Sequence, residues 1–515
     1  MWIELGTLIL HIGKEDCSLA EMEQLYALRD CQEPLKAALY LRGATTVFGT
    51  PLQRGQILDF TTYFNGFSWR KWKQYTALEE LELRLQVQGR FVLKGFTVNK
   101  DGRRMLWQED VAGTYCRRIS AEAFEGELFG FSLLSMEDGS CVIGGAYYGR
   151  FSEERHLRVG IVICTFQRET YVRRTMEVLR AFRETHPWLD VLVVDNGRTL
   201  PVENRDGIQV IANRNYGGSG GFSRGLLEYA ARGDVDYVLL MDDDIVLDVS
   251  SLERFYALAC HLKLEYRENF IGGAMLDMDE STRQVENSAY RGELFLHPMG
   301  QGYILSHEET LCRNEQLKVK KNGYAAWWFC GIPMSAIRRM GYPLPVFIKY
   351  DDVEYGLRNG REILTLNGMG VWHEAFGKKQ SAIIDYFTDR NTLIISHYTP
   401  GSGRWTFLLL LFGRLIRRCL QGEAVGIRGF HLALQDYAKG FEGITAIGAD
   451  EKFASVRTEL DHGDENVFWA FFASLGRMAQ QILMYDRMHE VYLRFREEKL
   501  TTPVFWRQYL GLDNE

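Results

Sequence analysis

Two kinds of apolar patterning follow one another along the chain. Up to about residue 154 the apolar positions fall in short runs rich in β-branched and aromatic residues, broken by turns, as over residues 43–49, 57–63 and 90–98. Asn99-Lys100-Asp101-Gly102 between two such runs predicts a hairpin turn. A β-sandwich is expected, with two short helices over residues 19–29 and 121–124, the second capped by Ser120. From Leu157 the runs become continuously apolar and alternate with helical stretches. Residues 158–165, 191–195, 208–212 and 237–241 predict strands; residues 170–185 and 221–232 predict helices. That alternation predicts an open, mostly parallel α/β sheet, whose ligands bind at the carboxyl ends of the strands, where Asp195 and Asp242 fall. Beyond about residue 395 the pattern is helical over 404–420, 426–440, 450–460 and 466–498, with Pro503 closing the last. The expected organisation is an α/β multidomain chain: an N-terminal β-sandwich over 1–154, an α/β domain over 155–395 and a helical domain over 396–515.

Composition adds exclusions. A chain of 515 residues is too long for one core, and 46% hydrophobic with 25% charged residues is ordinary for a folded protein. A net charge of −8 argues against nucleic acid as a partner. Nine scattered cysteines form no CxxC pair, so a structural zinc site is not expected and reduced thiols are. The opening Met1-Trp2-Ile3-Glu4-Leu5-Gly6 lacks the basic region and cleavage site of a secretion signal. No apolar run reaches the roughly 18–20 residues of a membrane span. Trp405 to Phe412, closed by Arg414, Arg417 and Arg418, suits either a buried helix with a charged end or a helix lying on an anionic membrane surface.

Four segments carry candidate chemistry. Met241-Asp242-Asp243-Asp244-Ile245 gathers three carboxylates at a strand end. Their mutual repulsion is removed by a hard divalent cation, which also neutralises a departing diphosphate; a surface turn capping a helix at Ser250-Ser251 is the alternative. Gly217-Gly218-Ser219-Gly220-Gly221 precedes a helix and admits close approach of backbone to an anion, or serves as a tight turn; it is neither a P-loop nor a GxGxxG fingerprint. Tyr350-Asp351-Asp352-Val353-Glu354 offers a general base for a hydroxyl nucleophile, or acids favoured at a helix N-terminus. Trp372-His373 offers an imidazole ligand, and Trp327-Trp328 a stacking wall for a sugar or a piece of core.

The order of these features decides among the alternatives. Cys164-Thr-Phe-Gln-Arg168, Gly217-Gly-Ser-Gly-Gly-Phe-Ser-Arg224, Met241-Asp-Asp-Asp244, Trp327-Trp328, Phe347-Ile-Lys-Tyr-Asp-Asp352 and Trp372-His373 together resemble the galactan-polymerising bacterial galactofuranosyltransferases, inverting GT-A enzymes of glycosyltransferase family 2. The resemblance is strongest over residues 157–395; upstream, residues 59–67 with Trp72 are similar to that family's β-sandwich.

The resemblance implies a central GT-A domain with a Rossmann-like mixed sheet. It implies Mn²⁺ or Mg²⁺ on Asp242, Asp244 and His373. A UDP-sugar would be held through Thr165, Arg168, Asp195, Gly218, Ser219, Gly220, Asp242 and Asp243. Asp352 would be the base, with Asp351 beside it, and Trp327, Trp328 and Glu286 would line the sugars. Galactofuranose would pass from UDP-galactofuranose to a hydroxyl of a galactan or related cell-envelope polysaccharide. The partners implied are a glycan acceptor that is lipid-linked in some members, a homo-oligomer, and peripheral contact with the inner face of the cell membrane by a cytoplasmic chain. The competing expectations are another hexosyl- or rhamnosyltransferase of the same fold, an inactive carbohydrate-binding protein and, more distantly, a nucleotidyltransferase, which lacks its glycine- and lysine-rich loop here.

Overall fold

The computed structural model describes residues 22–318, 321–374, 381–420, 424–445, 448–461 and 467–514. The amino-terminal hexapeptide read above lies outside them. The chain divides into two compact units. The first comprises the chain up to Arg155 with residues 257–263 and 305–316; the second comprises residues 156–256, 264–304 and 317–515.

The first unit is β-rich, as expected. It is one seven-stranded assembly of β1 (Glu23–Ala27), β2 (Arg42–Gly43), β3 (Ile57–Asp59), β4 (Leu78–Asn99), β5 (Gly102–Ser120), β6 (Leu128–Ser135) and β7 (Cys141–Phe151), with helices α1 (Pro34–Ala37) and α2 (Trp69–Tyr75). The strand β4 is its spine: β5 pairs along its length, while β7 takes its first half and β6 its second. The hairpin turn falls where the sequence puts it, with the Asp101 amide donating to Asn99 Oδ1 at 2.8 Å. Both short helices expected here fail. Residues 23–27 pair with β7, where the adjacent Leu25 and Tyr26 are both buried beside a register irregularity; residues 19–21 lie outside the description. Residues 121–124 form only a turn, over which the Ser120 hydroxyl accepts from the Glu122 amide at 3.3 Å.

The second unit holds the expected α/β sheet. Its elements begin β8 (Val159–Thr165), α3 (Glu169–Thr185), β9 (Leu189–Asp195), β10 (Glu203–Arg205), β11 (Ile208–Ala212), α4 (Gly217–Arg232), β12 (Tyr237–Asp242), β13 (Val246–Leu247) and α5 (Val249–His261). They continue with β14 (Ile271–Gly272), β15 (Ala274–Asp277), β16 (Gln284–Glu286), β17 (Ala289–Arg291), β18 (Leu296–Pro298), β19 (Gly323–Tyr324), β20 (Cys330–Pro333), α7 (Met334–Met340), α8 (Asp351–Asn359) and β21 (Gly370–His373); the intervening α6 (Glu308–Gln316) and the end of α5 belong to the first unit. The main sheet runs β10-β11-β9-β8-β12-β20-β14, with β11, β9, β8 and β12 parallel and the outer strands antiparallel. Its parallel strands are buried on both faces, which is why they read as unbroken apolar runs. Two small sheets, β13-β21-β15-β16 and β18-β17-β19, accompany it.

The helical stretch begins with α9 (Ala382–Ser396), α10 (Arg404–Leu420), α11 (Ala424–Ala438), α12 (Gly440–Thr445) and α13 (Ala449–Asp461). It ends with α14 (Val467–Leu483), α15 (Tyr485–Phe495) and α16 (Pro503–Leu510). The long helix read over 466–498 is thus broken at Met484, and Pro503 starts a helix rather than ending one, as a proline at the first helical position does. One hydrophobic core runs from Val162 and Leu240 of the sheet through Phe347 and Phe387 to Phe430 and Trp506 of the helices.

Candidate active site

The glycines of residues 217–221 are the first turn of α4, not a free loop. At Gly217, Gly220 and Gly221 a Cβ would come within 2.1–2.2 Å of another atom, whereas Gly218 has room for one. A Cβ on Gly221 would strike Cys164 Sγ, and one on Gly225 would strike Val162, so α4 lies close on β8. Gly217 is left-handed (φ +69°), and its Cβ would strike the Phe347 carbonyl. Ser219 completes that contact: its amide donates to Phe347 O at 3.1 Å, and its hydroxyl accepts from the Phe347 amide at 3.0 Å. The segment it grips is strained. Phe347, Lys349 and Tyr350 all have φ between +65° and +73°, a region that non-glycine residues avoid. From the other side Asn391 of α9 donates to the carbonyls of Val346, Ile348 and Lys349 at 2.8–3.1 Å, and Arg390 donates to Val346 O at 2.7 Å. Such conformations persist only where the surroundings over-determine them. The result is that α8 starts abruptly, with Asp351 and Asp352 facing a cavity.

That cavity, about 510 Å³, is of the size that takes a small ligand. One wall is Asp242, Asp243, Asp244, His373 and Arg168. The end of β12 carries the triplet, and β13, two residues on, pairs Val246 with Trp372 of β21. This pairing brings His373 back, so that His373 Nε2 stands 2.9 Å from Asp244 Oδ1 and 3.8 Å from Asp242 Oδ2. One ligand atom from each of the three lies within 4.8 Å of the others. His373 Nδ1 meets Glu374 O at 2.6 Å, so Nε2 is the nitrogen that faces the carboxylates. Burial opposes charge on the imidazole, but the bond to Asp244 and the charges of Asp244 and Asp242 outweigh it and hold its pKa up. Two carboxylates and one imidazole converging so closely are a donor set that fits a hard divalent cation.

Asp243 turns away from its neighbours and accepts from Thr165 Oγ1 at 2.8 Å, tying the ends of β12 and β8 together; burial pushes it up to about 6. Arg168 pairs with Asp244 and lies 3.7 Å from Asp243. Asp195 is fully buried, and its two oxygens take the amides of Gly197, Thr199 and Leu200 at 2.6–2.9 Å. It shapes the loop after β9. Of the glycine segment, Gly218 reaches the cavity wall; Ser219 and Gly220 lie beneath it, the first on Phe347 and the second against Tyr216.

A second part of the lining carries Asp351 and Asp352, both within electrostatic reach of Asp242, with Trp327 and Trp328 and residues from the helices. Burial raises both carboxyl pKa values; the Asp352 charge adds to this at Asp351, and Lys349 pulls the other way at Asp352. Trp328 Nε1 donates to Gly273 O at 2.8 Å, and Trp327 packs edge-on to Phe222 and Tyr355, so each ring is fixed by core contacts while lining the cavity. Glu286 is not in that wall. It sits on β16 opposite Met275, within electrostatic reach of Asp352, and burial pushes it up to about 8.

Sequence reasoning missed the helical contribution. Thr388 and Asp385 of α9 and Arg414, Arg417 and Arg418 of α10 complete the cavity. Two of these arginines are spoken for: Arg414 and Arg418 bind buried Asp389 at 3.0 and 2.9 Å, and Arg418 binds Asp385 at 2.6 Å. The available signal was the three arginines closing the 405–412 apolar run.

Residues 160–295 match the family model described as glycosyl transferase family 2, and residues 20–144 match that of the galactofuranosyltransferase 2 N-terminal domain. The chain is a glycosyltransferase. It is similar to galactofuranosyltransferase GlfT2 of Mycobacterium tuberculosis, at 27% identity over 81% of this chain and 72% of that one. The GlfT2 of Mycolicibacterium smegmatis matches at 27% over 76% of this chain and 65% of that one. Among solved structures, the transferase overlaps Staphylococcus aureus TarS in complex with UDP-GlcNAc at a TM-score of 0.36 and 12% identity, over 64% of this chain and 92% of that one.

Proposed function

We propose that this transferase is an inverting, divalent-metal-dependent galactofuranosyltransferase that moves galactofuranose from UDP-galactofuranose to a hydroxyl of a growing glycan. The observation that carries it is that one cavity is lined both by Asp242, Asp244 and His373, which can hold a cation, and by the buried pair Asp351 and Asp352. The names of the matching relatives supply the sugar.

Asp242, Asp244 and His373 would hold Mn²⁺ or Mg²⁺. Bound there, the cation supplies charge neutralisation for the departing diphosphate. Thr165, Arg168 and the loop shaped by Asp195 frame the nucleotide, with Asp243 fixing Thr165 and Gly218 giving room for backbone approach. The acceptor hydroxyl attacks the anomeric carbon from the Asp352 side. Its oxygen bonds to that carbon, the bond to the diphosphate oxygen breaks, UDP leaves, and the hydroxyl proton passes to Asp352. Attack opposite to departure inverts the centre. Trp327 and Trp328 hold a sugar face, and Glu286, outside the cavity lining, acts on the site only through its electrostatic reach to Asp352.

In this reading the acceptor is lipid-linked and the chain works as a homo-oligomer at the inner face of the membrane. Support comes from α10. Phe407, Leu410, Leu411 and Leu415 are buried, while Trp405, Leu409, Phe412, Ile416 and Leu420 form an exposed ridge on the same helix. No helix among the described residues is long and apolar enough to cross a membrane.

A donor panel with Mn²⁺ and a short galactofuranosyl acceptor tests the proposal. Transfer from UDP-galactofuranose is expected; transfer from UDP-galactopyranose or a rhamnosyl donor alone would overturn the sugar assignment.

A further inference from the structure

The first turn of α4 holds four glycines, and the packing accounts for three of them. A Cβ would meet the Phe347 carbonyl at Gly217, Tyr216 at Gly220 and Cys164 at Gly221, each within 2.1–2.2 Å. Gly218 is different. Its backbone is not left-handed, and a Cβ there would meet only Asp351 Oδ2 at 3.4 Å and Phe222 Cε2 at 4.0 Å, which is ordinary contact. It is also the one residue of 217–221 that is not buried, and the one that lines the reaction cavity. A helical glycine is less stable than alanine, because it surrenders more backbone freedom on folding. No contact in the fold offsets that cost at Gly218. Departures of this kind from local preference gather at ligand sites, where backbone must approach a ligand closely.

The neighbours of the open space say what it suits. Phe222 lies one turn further along α4, lines the same cavity and meets Trp327 edge-on, with ring centroids 5.1 Å apart. Trp327 lines the cavity too. The space beside Gly218 is therefore bounded by a carboxyl oxygen and by an aromatic ring that continues into a second one. Carbohydrate matches that pairing: its C–H groups lie against a ring while a hydroxyl bonds the carboxyl group. A phosphate matches it poorly, because Asp351 and Asp352 are adjacent acids.

We propose that Gly218 is a specificity-determining residue of the transferase: the space beside Asp351 and Phe222 that its missing side chain leaves open receives a hydroxyl-bearing carbon of a sugar, whose hydroxyl bonds the Asp351 carboxyl group. The sugar is either the one transferred or the terminal unit of the acceptor, and the test separates the two. The inference rests on the transferase reading above for the presence of a sugar in this cavity, though not for its identity as galactofuranose. Gly218 takes no part in making or breaking a bond; it sets how large a group fits beside Asp351.

The test is Gly218→Ala in the full-length protein, with Gly220→Ala beside it as a packing control. Gly218→Ala is expected to melt at or above wild type and to bind UDP with Mn²⁺ within about twofold of wild type. Gly220→Ala, whose Cβ does clash, should melt lower. With a UDP-sugar that the donor panel shows to be turned over, kcat/KM of Gly218→Ala should fall about tenfold or more, the scale on which a pocket registers one methyl group. A rise in KM for the donor assigns the space to the transferred sugar; a rise in KM for the acceptor assigns it to the acceptor. A smaller fall in kcat/KM overturns the proposal. So does UDP binding lost in step with transfer, which would give the space to the nucleotide. Melting far below wild type overturns it as well, since packing would then explain the glycine. If no UDP-sugar is turned over, the reading of the reaction fails separately, and titration decides the subsite. UDP-galactofuranose, UDP-galactopyranose and, with UDP present, a short galactofuranosyl acceptor are each titrated with Mn²⁺ into wild type and Gly218→Ala. Binding of any of them that weakens about tenfold while UDP alone is unchanged supports the subsite; equal binding of all three by the two proteins overturns it.

Discussion

The two walls of the cavity are built by different means. The wall of Asp242, Asp244 and His373 is made from strand ends. A continuous apolar run delivers the triplet, and one short antiparallel pairing, Val246 with Trp372, returns the histidine to it. The wall of Asp351 and Asp352 is made from strain. Three left-handed non-glycine residues hold the carboxylates out, clamped by Gly217 and Ser219 below and by Arg390 and Asn391 above. Strand ends position groups cheaply and tolerate change around them. A strained segment depends on every clamp, so damage far from the chemistry should reach the base without touching the metal wall.

The largest expected effect follows from that division. Asp352→Asn should reduce transfer by roughly a thousandfold, within the range for loss of a general base, measured as initial rate with saturating donor. Next, His373→Ala should weaken Mn²⁺ and metal-dependent UDP binding by about tenfold or more while the protein stays folded; calorimetric titration checks it. Gly217→Ala attacks the clamp. It forces a side chain onto the Phe347 carbonyl at a left-handed position, a cost of about 1–3 kcal/mol. Transfer should fall while metal affinity holds. An equal loss of both would show that the walls are not independent.

A smaller effect concerns pH. Asp352 must be unprotonated to accept the hydroxyl proton, and burial raises its pKa. Transfer should therefore be retained at higher pH and lost as pH falls through a limb above the ordinary carboxylate range. Lys349 favours the charged form of Asp352. Lys349→Met should move that limb to higher pH, visible in a pH profile of kcat/KM; a limb that stays put would remove Lys349 from the environment of the base. The smallest expected change is at the α10 ridge: Trp405→Ser should weaken binding to anionic vesicles by up to about tenfold without altering transfer to a water-soluble acceptor.

The same contrast explains what the sequence disclosed. Parallel strands buried on both faces announce themselves as apolar runs, so β8, β9, β11 and β12 were legible, and so was the triplet that ends one of them. The bounds of α10 were legible because its periodicity is uninterrupted. The strained segment was not, because Phe347, Lys349 and Tyr350 carry no glycine signal and are held by tertiary contacts alone. The glycines looked like a ligand loop, when their main work is to admit β8 and the Phe347 carbonyl to the first turn of a helix. Residues 23–27 looked helical and became a strand because β7 offered an edge.

The central claim is that one wall binds nucleotide through metal while the other supplies the base. The most direct measurement is a calorimetric titration of UDP with Mn²⁺ into Asp352→Asn, run beside its transfer rate. UDP affinity is expected within about twofold of wild type with transfer reduced by roughly a thousandfold. Loss of UDP binding in step with transfer would contradict it, as would near-normal transfer.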